Sequence, residues 1–136
     1  MNITNVGKLF LLPFMLMVSA CASTSNSELR SCESIDDVKL NIEQRDGSDV
    51  SICGFLKYEF EDKNLYDSAK AAKEFSSKEC LSIGLHRGVD IDFAPLNNRR
   101  VLVRGVVAKE FCPEGTICVA SCSAVGVFVR TVSALD

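Results

Sequence analysis

The sequence predicts one small, mainly antiparallel β domain, a barrel or a sheet, with one or two short helices and several disulfide bonds. The chain has 136 residues, and removal of a leader of about 20 leaves a length that suits one domain. Several runs alternate apolar and polar side chains, which is the pattern of half-buried strands. Seven cysteines in so short a chain are typical of exported, disulfide-stapled proteins.

Four segments carry the strand pattern. The first two are long and each has a glycine on its apolar side, and the fourth is the shortest. In the order of their clarity they are Val50–Phe60, Arg99–Lys109, Val125–Val132 and Cys80–Leu85. A glycine in mid-strand usually marks a bulge or a sharp bend. Gly54 and Gly105 are therefore the predicted bend points of two strands that coil over a small core.

Long strands bent at glycines resemble those of an OB-fold domain. The resemblance covers Val50 to Ala134 and rests on the order of the elements: a bent first strand, a helical excursion, a second bent strand and a closing strand. It implies a small barrel with a ligand-binding face. An ordinary antiparallel sheet with glycines at turns remains the alternative.

Two segments are candidate helices. Ser34 is a good N-cap for a helix over Ile35–Ile42, although alternation of apolar residues in the same segment leaves a strand open. Asp67–Phe75 is rich in helix-forming residues, with Asp67 as the predicted cap. His86–Asn98 is largely polar and is predicted to be a loop.

Six of the seven cysteines lie at or beyond Cys32, and an even number in an oxidising compartment predicts up to three disulfides. Sequence alone leaves their 15 connectivities open. Metal binding is the rival interpretation, but the paired C-x2-C spacing of structural zinc sites is missing. The disulfide candidates are Cys32, Cys53, Cys80, Cys112, Cys118 and Cys122.

The N-terminal segment has the features of a secretory leader. Lys8 precedes a continuous apolar run, Leu9–Val18, that is too short to span a bilayer. The segment ends in Val18-Ser19-Ala20-Cys21, which resembles the bacterial lipobox. The resemblance implies cleavage before Cys21, a thioether-linked diacylglyceryl group on its sulfur and acylation, for example with palmitate, of its new amine. Two or three such chains hold a protein on a membrane, at ~0.8 kcal/mol per buried methylene.

We accordingly expect a signal peptide over residues 1–20, a lipidated Cys21 with a flexible tether over 21–30, and a single β-rich domain over 31–136. Small polar residues such as Ser23 and Asn26 give the tether its flexibility. Ala22 stands where the inner-membrane retention signal of enteric bacteria has Asp. The resemblance therefore points to the outer membrane, with the domain facing the periplasm.

Charge limits the partners. The net charge is −3 and becomes −4 when the leader takes Lys8 with it, so a globally basic nucleic-acid binder is disfavoured. Arg99, Arg100, Arg104 and Lys109 form the one basic cluster, and its three arginines are the candidate ligand-binding residues. Together with Tyr58, Tyr66 and Phe128 they are similar to the aromatic and cationic faces on which OB-folds stack ligands. Solubilising charges that protect a sheet edge are the alternative.

The sequence offers little for catalysis. His86 is the only histidine, and no serine lies in a G-x-S-x-G elbow. Asp90 and Asp92 could share one side of an extended segment, but no EF-hand loop accompanies them. We expect no catalytic residues, no metal and no cofactor. The expected function is a non-catalytic, lipid-anchored envelope lipoprotein that contacts protein or glycan; the alternative is an OB-like module that binds an anionic polymer or oligosaccharide.

Overall fold

The computed structural model describes residues 32–135. The predicted signal peptide, the lipidation residue Cys21 and the tether lie outside the described residues. The described part is a closed barrel of five strands, mostly antiparallel, with three short α-helices. The predicted mainly β, OB-like fold is therefore confirmed.

Five strands close the barrel in the order β1-β2-β3-β5-β4. All neighbouring pairs are antiparallel except β3 and β5, which are parallel. The strands are β1 (Asp49–Glu59), β2 (Asp62–Tyr66), β3 (Cys80–Leu85), β4 (Arg100–Ala108) and β5 (Gly126–Ala134). The three clearest predicted strands and the shorter candidate are thus β1, β4, β5 and β3.

Strand β2 was not predicted. In its sequence, Asp-Lys-Asn-Leu-Tyr, the first, third and fifth side chains are polar or amphipathic and point to the same side of the strand. Such a pattern is typical of a solvent-exposed loop. In the fold Asp62, Asn64 and Tyr66 are all buried, because another part of the chain covers this face of the strand. Tertiary packing therefore overrides the local pattern here.

Alternate residues of the strands fill the barrel. Val50, Ile52 and Leu56 of β1 point inward, as the alternation predicts, and meet apolar side chains of the other strands. Ile35 and Val38 join the same core from outside the sheet, with no exposed surface. The segment before β1 therefore plugs one end of the barrel.

That segment is helical, which resolves the helix-or-strand alternative. Helix α1 spans Ile35–Leu40 and α2 spans Ile42–Arg45. The Ser34 hydroxyl accepts a hydrogen bond of 3.1 Å from the Asp37 N–H, so Ser34 is the N-cap of α1, as predicted.

The other predicted helix is present but shorter than expected. Helix α3 spans Ala69–Lys73, and its cap is Ser68, whose hydroxyl accepts from the Ala71 N–H at 3.1 Å. The cap predicted at Asp67 was wrong by one residue. Asp67 instead lies outside the helix, and its N–H donates to the carbonyl oxygen of Glu79.

All six cysteines of the domain are paired, which confirms the disulfide prediction. The bonds are Cys32–Cys53, Cys80–Cys122 and Cys112–Cys118. The first ties the start of the domain to β1. The second joins β3 to the connection between β4 and β5, and the third closes a small ring within that connection.

Both mid-strand glycines lie at irregular points of the barrel. Gly54 lies where β1 passes from pairing with β4 to pairing with β2. At Gly105 the register between β4 and β5 shifts, so that Arg104 pairs with Thr131 and Gly105 with Val129. A bulge is therefore present at Gly105, as predicted, and it leaves Arg130 without a partner in the ladder between β4 and β5. The bend at Gly54 stays a prediction.

Candidate functional site

The connection between β4 and β5, residues 109–125, crosses the outer face of β2 and β3. The Cys80–Cys122 disulfide fixes it there covalently. Asn64 lies opposite Ser82 and Tyr66 opposite Cys80, so these four side chains share the face that the connection crosses. This face lies on the outside of the barrel, since Leu65 and Leu81 alternate with them into the core.

Asn64 and Ser82 hold the connection by paired hydrogen bonds. The Asn64 amide nitrogen donates to the carbonyl oxygen of Ala120 at 2.9 Å, and its oxygen accepts from the Cys122 N–H at 3.0 Å. The Ser82 hydroxyl donates to the carbonyl oxygen of Ser123 at 2.7 Å and accepts from the N–H of the same residue. Two buried side chains thus satisfy four backbone groups of the connection.

A second, smaller apolar cluster also covers the outer face of β2 and β3. It lies outside the barrel and comprises Tyr66, Ala71, Ala72 and Cys80, with Phe55 and Cys122 packed against it. Strands 2 and 3 are the region where OB-folds bind oligonucleotides and oligosaccharides. In this protein helix α3 and the disulfide-tied connection occupy much of that face, so an extended polymer has no open platform there.

A polar cavity remains at the edge of this cover. It has a volume of about 230 Å³. Its walls come from β2, the turn before it, the end of helix α3 and the β4–β5 connection: Glu61, Asp62, Asn64, Tyr66, Phe75, Ser77, Ala120, Ser121 and Cys122. No basic residue lines it.

Asp62 is the unusual group of this cavity. It is 4% exposed. Its Oδ1 accepts hydrogen bonds from the Asn64 amide at 2.5 Å and from the Tyr66 hydroxyl at 3.0 Å, whereas Oδ2 has no partner among the described residues. Burial, followed by the hydrogen bond to Asp62, raises the pKa of Tyr66 to about 12, so its hydroxyl remains a donor.

A wider groove lies on a different face, across β1, β4 and β5. Its volume is about 470 Å³, and it is lined by Glu33, Asp49, Val50, Ser51, Arg104, Gly105, Arg130 and Thr131. The bulge at Gly105 shapes it, because the extra residue of β5 leaves Arg130 and Thr131 both exposed. Ser51, Arg104 and Thr131 lie side by side in register.

Most charges of this groove are already paired. The Arg45 guanidinium binds the Glu33 carboxylate through both nitrogens, one of them at 2.7 Å, and this bond lowers the pKa of Glu33. Arg130 pairs with Asp49 at 2.5 Å. Arg104 is exposed and forms no ion pair with any residue in the described part of the chain. It is the cation that the groove offers to a ligand.

The three predicted arginines do not form one site. Arg104 lines the groove, but Arg100 lies opposite Phe55, four positions away along β4. Arg99 precedes the strand, and its carbonyl oxygen accepts from the Leu56 N–H. The structure therefore brings Arg104 together with Arg130 rather than with its neighbours in sequence.

The predicted aromatic partners also lie elsewhere. Tyr58 stacks on Phe93 with ring centroids 4.0 Å apart, Phe128 stacks on Phe111 at 5.0 Å, and Tyr66 is buried in the outer cluster. Of the three, Phe128 lies nearest to Arg104 along the sheet, since it pairs with Val106 of β4.

The other residues considered for catalysis or metal binding are His86, Asp90 and Asp92. His86 Nδ1 lies 3.3 Å from the carbonyl oxygen of Arg87. The Asp92 carboxylate accepts from the Ala94 N–H at 3.0 Å, at the start of a single 3₁₀ turn, Ala94–Leu96, whereas Asp90 is exposed. Among residues 32–135 no three His, Cys, Asp or Glu side chains are grouped as a metal site.

Sequence reasoning missed Asp62 and Arg130. Asp62 follows Phe60 and Glu61 in a segment that looks solvated, so its burial depends on residues more than fifty positions away. Arg130 was placed in a strand, but its exposure in a groove follows from the bulge opposite Gly105. The glycine was the one available signal for it.

No helix within residues 32–135 is long and apolar enough to cross a membrane. The sequence matches no protein-family model and no curated protein.

Proposed function

We propose that this protein is a bacterial envelope lipoprotein, anchored by lipid on Cys21, whose barrel makes non-catalytic contacts with protein or glycan. The observation that carries the proposal is the cysteine pairing. Three disulfides use six of the seven cysteines. Cys21, the seventh, is the residue that the lipobox assigns to lipid. Disulfides of this density suit an oxidising compartment.

The proposed location is the outer membrane, facing the periplasm. Ala22, rather than Asp, follows the lipidated cysteine. Cys32, the first described residue, is tied to β1 by its bond to Cys53. Ten residues lie between Cys21 and Cys32, and an extended chain of that length reaches about 35 Å. The barrel would thus remain within one domain diameter of the lipid surface.

The anchor can be tested by fractionation of cells. The Cys21→Ser protein cannot form the thioether, so we expect an unprocessed or soluble product, whereas Ser23→Ala in the tether should be processed and membrane-bound like the parent. If Cys21→Ser is cleaved normally and stays with membranes after a high-salt wash, the lipoprotein assignment is wrong.

A second candidate function is the binding of an anionic polymer or oligosaccharide. The groove around Arg104 favours it, since this guanidinium forms no ion pair within residues 32–135 and has hydroxyl groups of Ser51 and Thr131 beside it. A carboxylate or phosphate group with neighbouring hydroxyls matches this arrangement. Arg130 would assist if an acidic ligand displaced Asp49.

Retention on an immobilised acidic polysaccharide tests this candidate. We expect Arg104→Ala to elute at lower salt than the parent and Arg104→Ala/Arg130→Ala at lower salt still. Arg87→Ala, in an exposed loop, makes the same change of charge and is the control. Equal shifts for Arg104→Ala and Arg87→Ala would mean that net charge alone governs retention and would exclude a specific groove. The Arg100→Ala variant separates this groove from the originally predicted cluster.

A further inference from the structure

The Asp62 carboxylate is buried without enough partners. One of its oxygens accepts two hydrogen bonds and the other accepts none from the described residues. A buried charged acceptor without a partner is costly, and native proteins usually satisfy such groups with a cation, a donor or a bound molecule. Oδ2 of Asp62 can therefore accept a further hydrogen bond or a positive charge.

No cation of the described chain fills this role. Lys63, the next residue of β2, turns to the other side of the strand, where its ammonium lies 5.6 Å from the centre of the Tyr58 ring. The Lys39 ammonium donates to the carbonyl oxygens of Ser77 and Lys78, at 3.1 and 2.9 Å. The cavity beside Asp62 is thus lined by two carboxylates, Asp62 and Glu61, and otherwise by neutral groups.

We propose that this cavity binds a primary ammonium group on a short aliphatic stem. An ammonium needs one free carboxylate oxygen, whereas a guanidinium binds best when both are free, and Oδ1 of Asp62 is already used. The volume of about 230 Å³ suits a single unbranched chain rather than a sugar polymer. Phe75, which is 68% exposed, offers its ring to the methylene groups or to the charge.

A divalent metal fits less well. Calcium takes six to eight oxygens and magnesium a near-octahedral set, and the described residues group no three acidic, histidine or cysteine side chains. The unpartnered Oδ2 is closed to solvent, so the ammonium meets the carboxylate after a turn of the Asp62 side chain, which itself lines the cavity.

This inference is independent of the anchor and of the arginine groove. The test uses the full, oxidised chain in detergent and follows backbone amide NMR shifts of β2 and of residues 120–122. The probes are n-pentylamine, which is protonated at neutral pH, and Nα-acetyl-lysine amide; 1-pentanol is the neutral comparison. We expect saturable shifts with an amine and none with the alcohol.

Variants locate the charge that binds. Asp62→Asn should weaken amine binding at least tenfold and Glu61→Gln about two- to threefold, while Glu114→Gln, an exposed carboxylate in the Cys112–Cys118 ring, should leave binding unchanged. Formation of the Cys80–Cys122 bond, checked by mass after alkylation, verifies that Asp62→Asn folds. If that variant does not fold, the comparison of Glu61→Gln with Glu114→Gln decides.

The outcomes separate the sources of the amine. Binding of the lysine derivative alone supports a lysine side chain of a partner protein, binding of pentylamine alone supports a free amine, and binding of both supports the shared ammonium chemistry. Equal shifts with 1-pentanol, displacement of the amine by stoichiometric Ca²⁺, or no saturation by either amine at millimolar concentration overturns the proposal.

Discussion

The side chain of Asn64 binds the backbone of Ala120 across 56 positions of sequence, with its amide nitrogen 2.9 Å from the carbonyl oxygen. The same amide accepts a hydrogen bond from Cys122. One buried side chain of β2 thus holds the connection that covers it. This relationship closes the face of β2 and β3 and forms one wall of the cavity beside Asp62.

Asn64→Ala should destabilise the domain by about 1 to 3 kcal/mol, because it leaves buried partners of the amide without hydrogen bonds. Asn41→Ala is the matched control: Asn41 is exposed, and its amide donates to the carbonyl oxygen of Asp37. We expect the control to cost about 1 kcal/mol or less. Urea unfolding of both variants measures the difference. Equal costs would show that the connection does not depend on Asn64.

The two mid-strand glycines should resist substitution. A Cβ at position 54 would lie 2.7 Å from both Leu65 Cγ and the Tyr66 carbonyl oxygen, and one at 105 would collide with the Phe128 carbonyl. We expect Gly54→Val and Gly105→Val each to cost about 1 to 3 kcal/mol or more. Arg100→Ala, on the exposed side of β4, should stay within about 0.5 kcal/mol of the parent. Urea melts that reverse this order would contradict the assignment of faces.

The disulfides should contribute unequally. In the chain-entropy account a bond that spans 42 residues stabilises by ~4 kcal/mol and one that spans 6 by ~2 kcal/mol. Removal of the Cys80–Cys122 pair should therefore cost more than removal of Cys112–Cys118, and it also disturbs the buried outer cluster. Thermal or urea unfolding of the two double alanine variants compares them.

Alkylation without reduction checks the pairing itself. The Cys21→Ser protein should take up no label, since every other cysteine is bonded. Two or more labelled thiols would revive the metal or redox interpretation of these residues.

The Glu33–Arg45 ion pair should make the free energy of unfolding depend on pH in the acidic range. The guanidinium holds the pKa of Glu33 below its usual value of 4.5 in the folded state. A lowered carboxylate pKa contributes stability above the unfolded value, and that contribution is lost as pH falls through the folded pKa. Both side chains are roughly 30% exposed, so Glu33→Gln should cost at most about 1 kcal/mol at neutral pH. The difference from the parent should shrink and disappear as the pH falls through the lowered pKa of Glu33; a difference that stays constant with pH would assign the effect to packing instead.

The elements that the sequence predicted well are those with strong local signals. Alternation located β1, β4 and β5, and the glycine at position 105 located the bulge. The N-cap at Ser34 was correct, since a cap depends on a few neighbouring residues. The cysteine count implied disulfides, but their connectivity required the fold.

The candidate sites were harder to predict from sequence, because they depend on contacts between residues that are far apart in the chain. Asp62 is buried only because residues 120–122 cross β2, and nothing near it in sequence shows this. The arginine cluster was predicted because its members are close together in the sequence. In the fold, the bulge opposite Gly105 brings Arg104 and Arg130 into the same groove. Side chains four apart on one strand share a face but lie too far apart to grip one small anion.

The Cys32–Cys53 disulfide determines how the domain bears mechanical force. A pull on the chain before Cys32 passes through a covalent bond to the middle of β1, which is hydrogen-bonded on both edges. Helices α1 and α2 lie inside the loop that this bond closes, so they carry no tension. A pull from this end therefore loads β1 rather than the two helices for as long as the disulfide is intact.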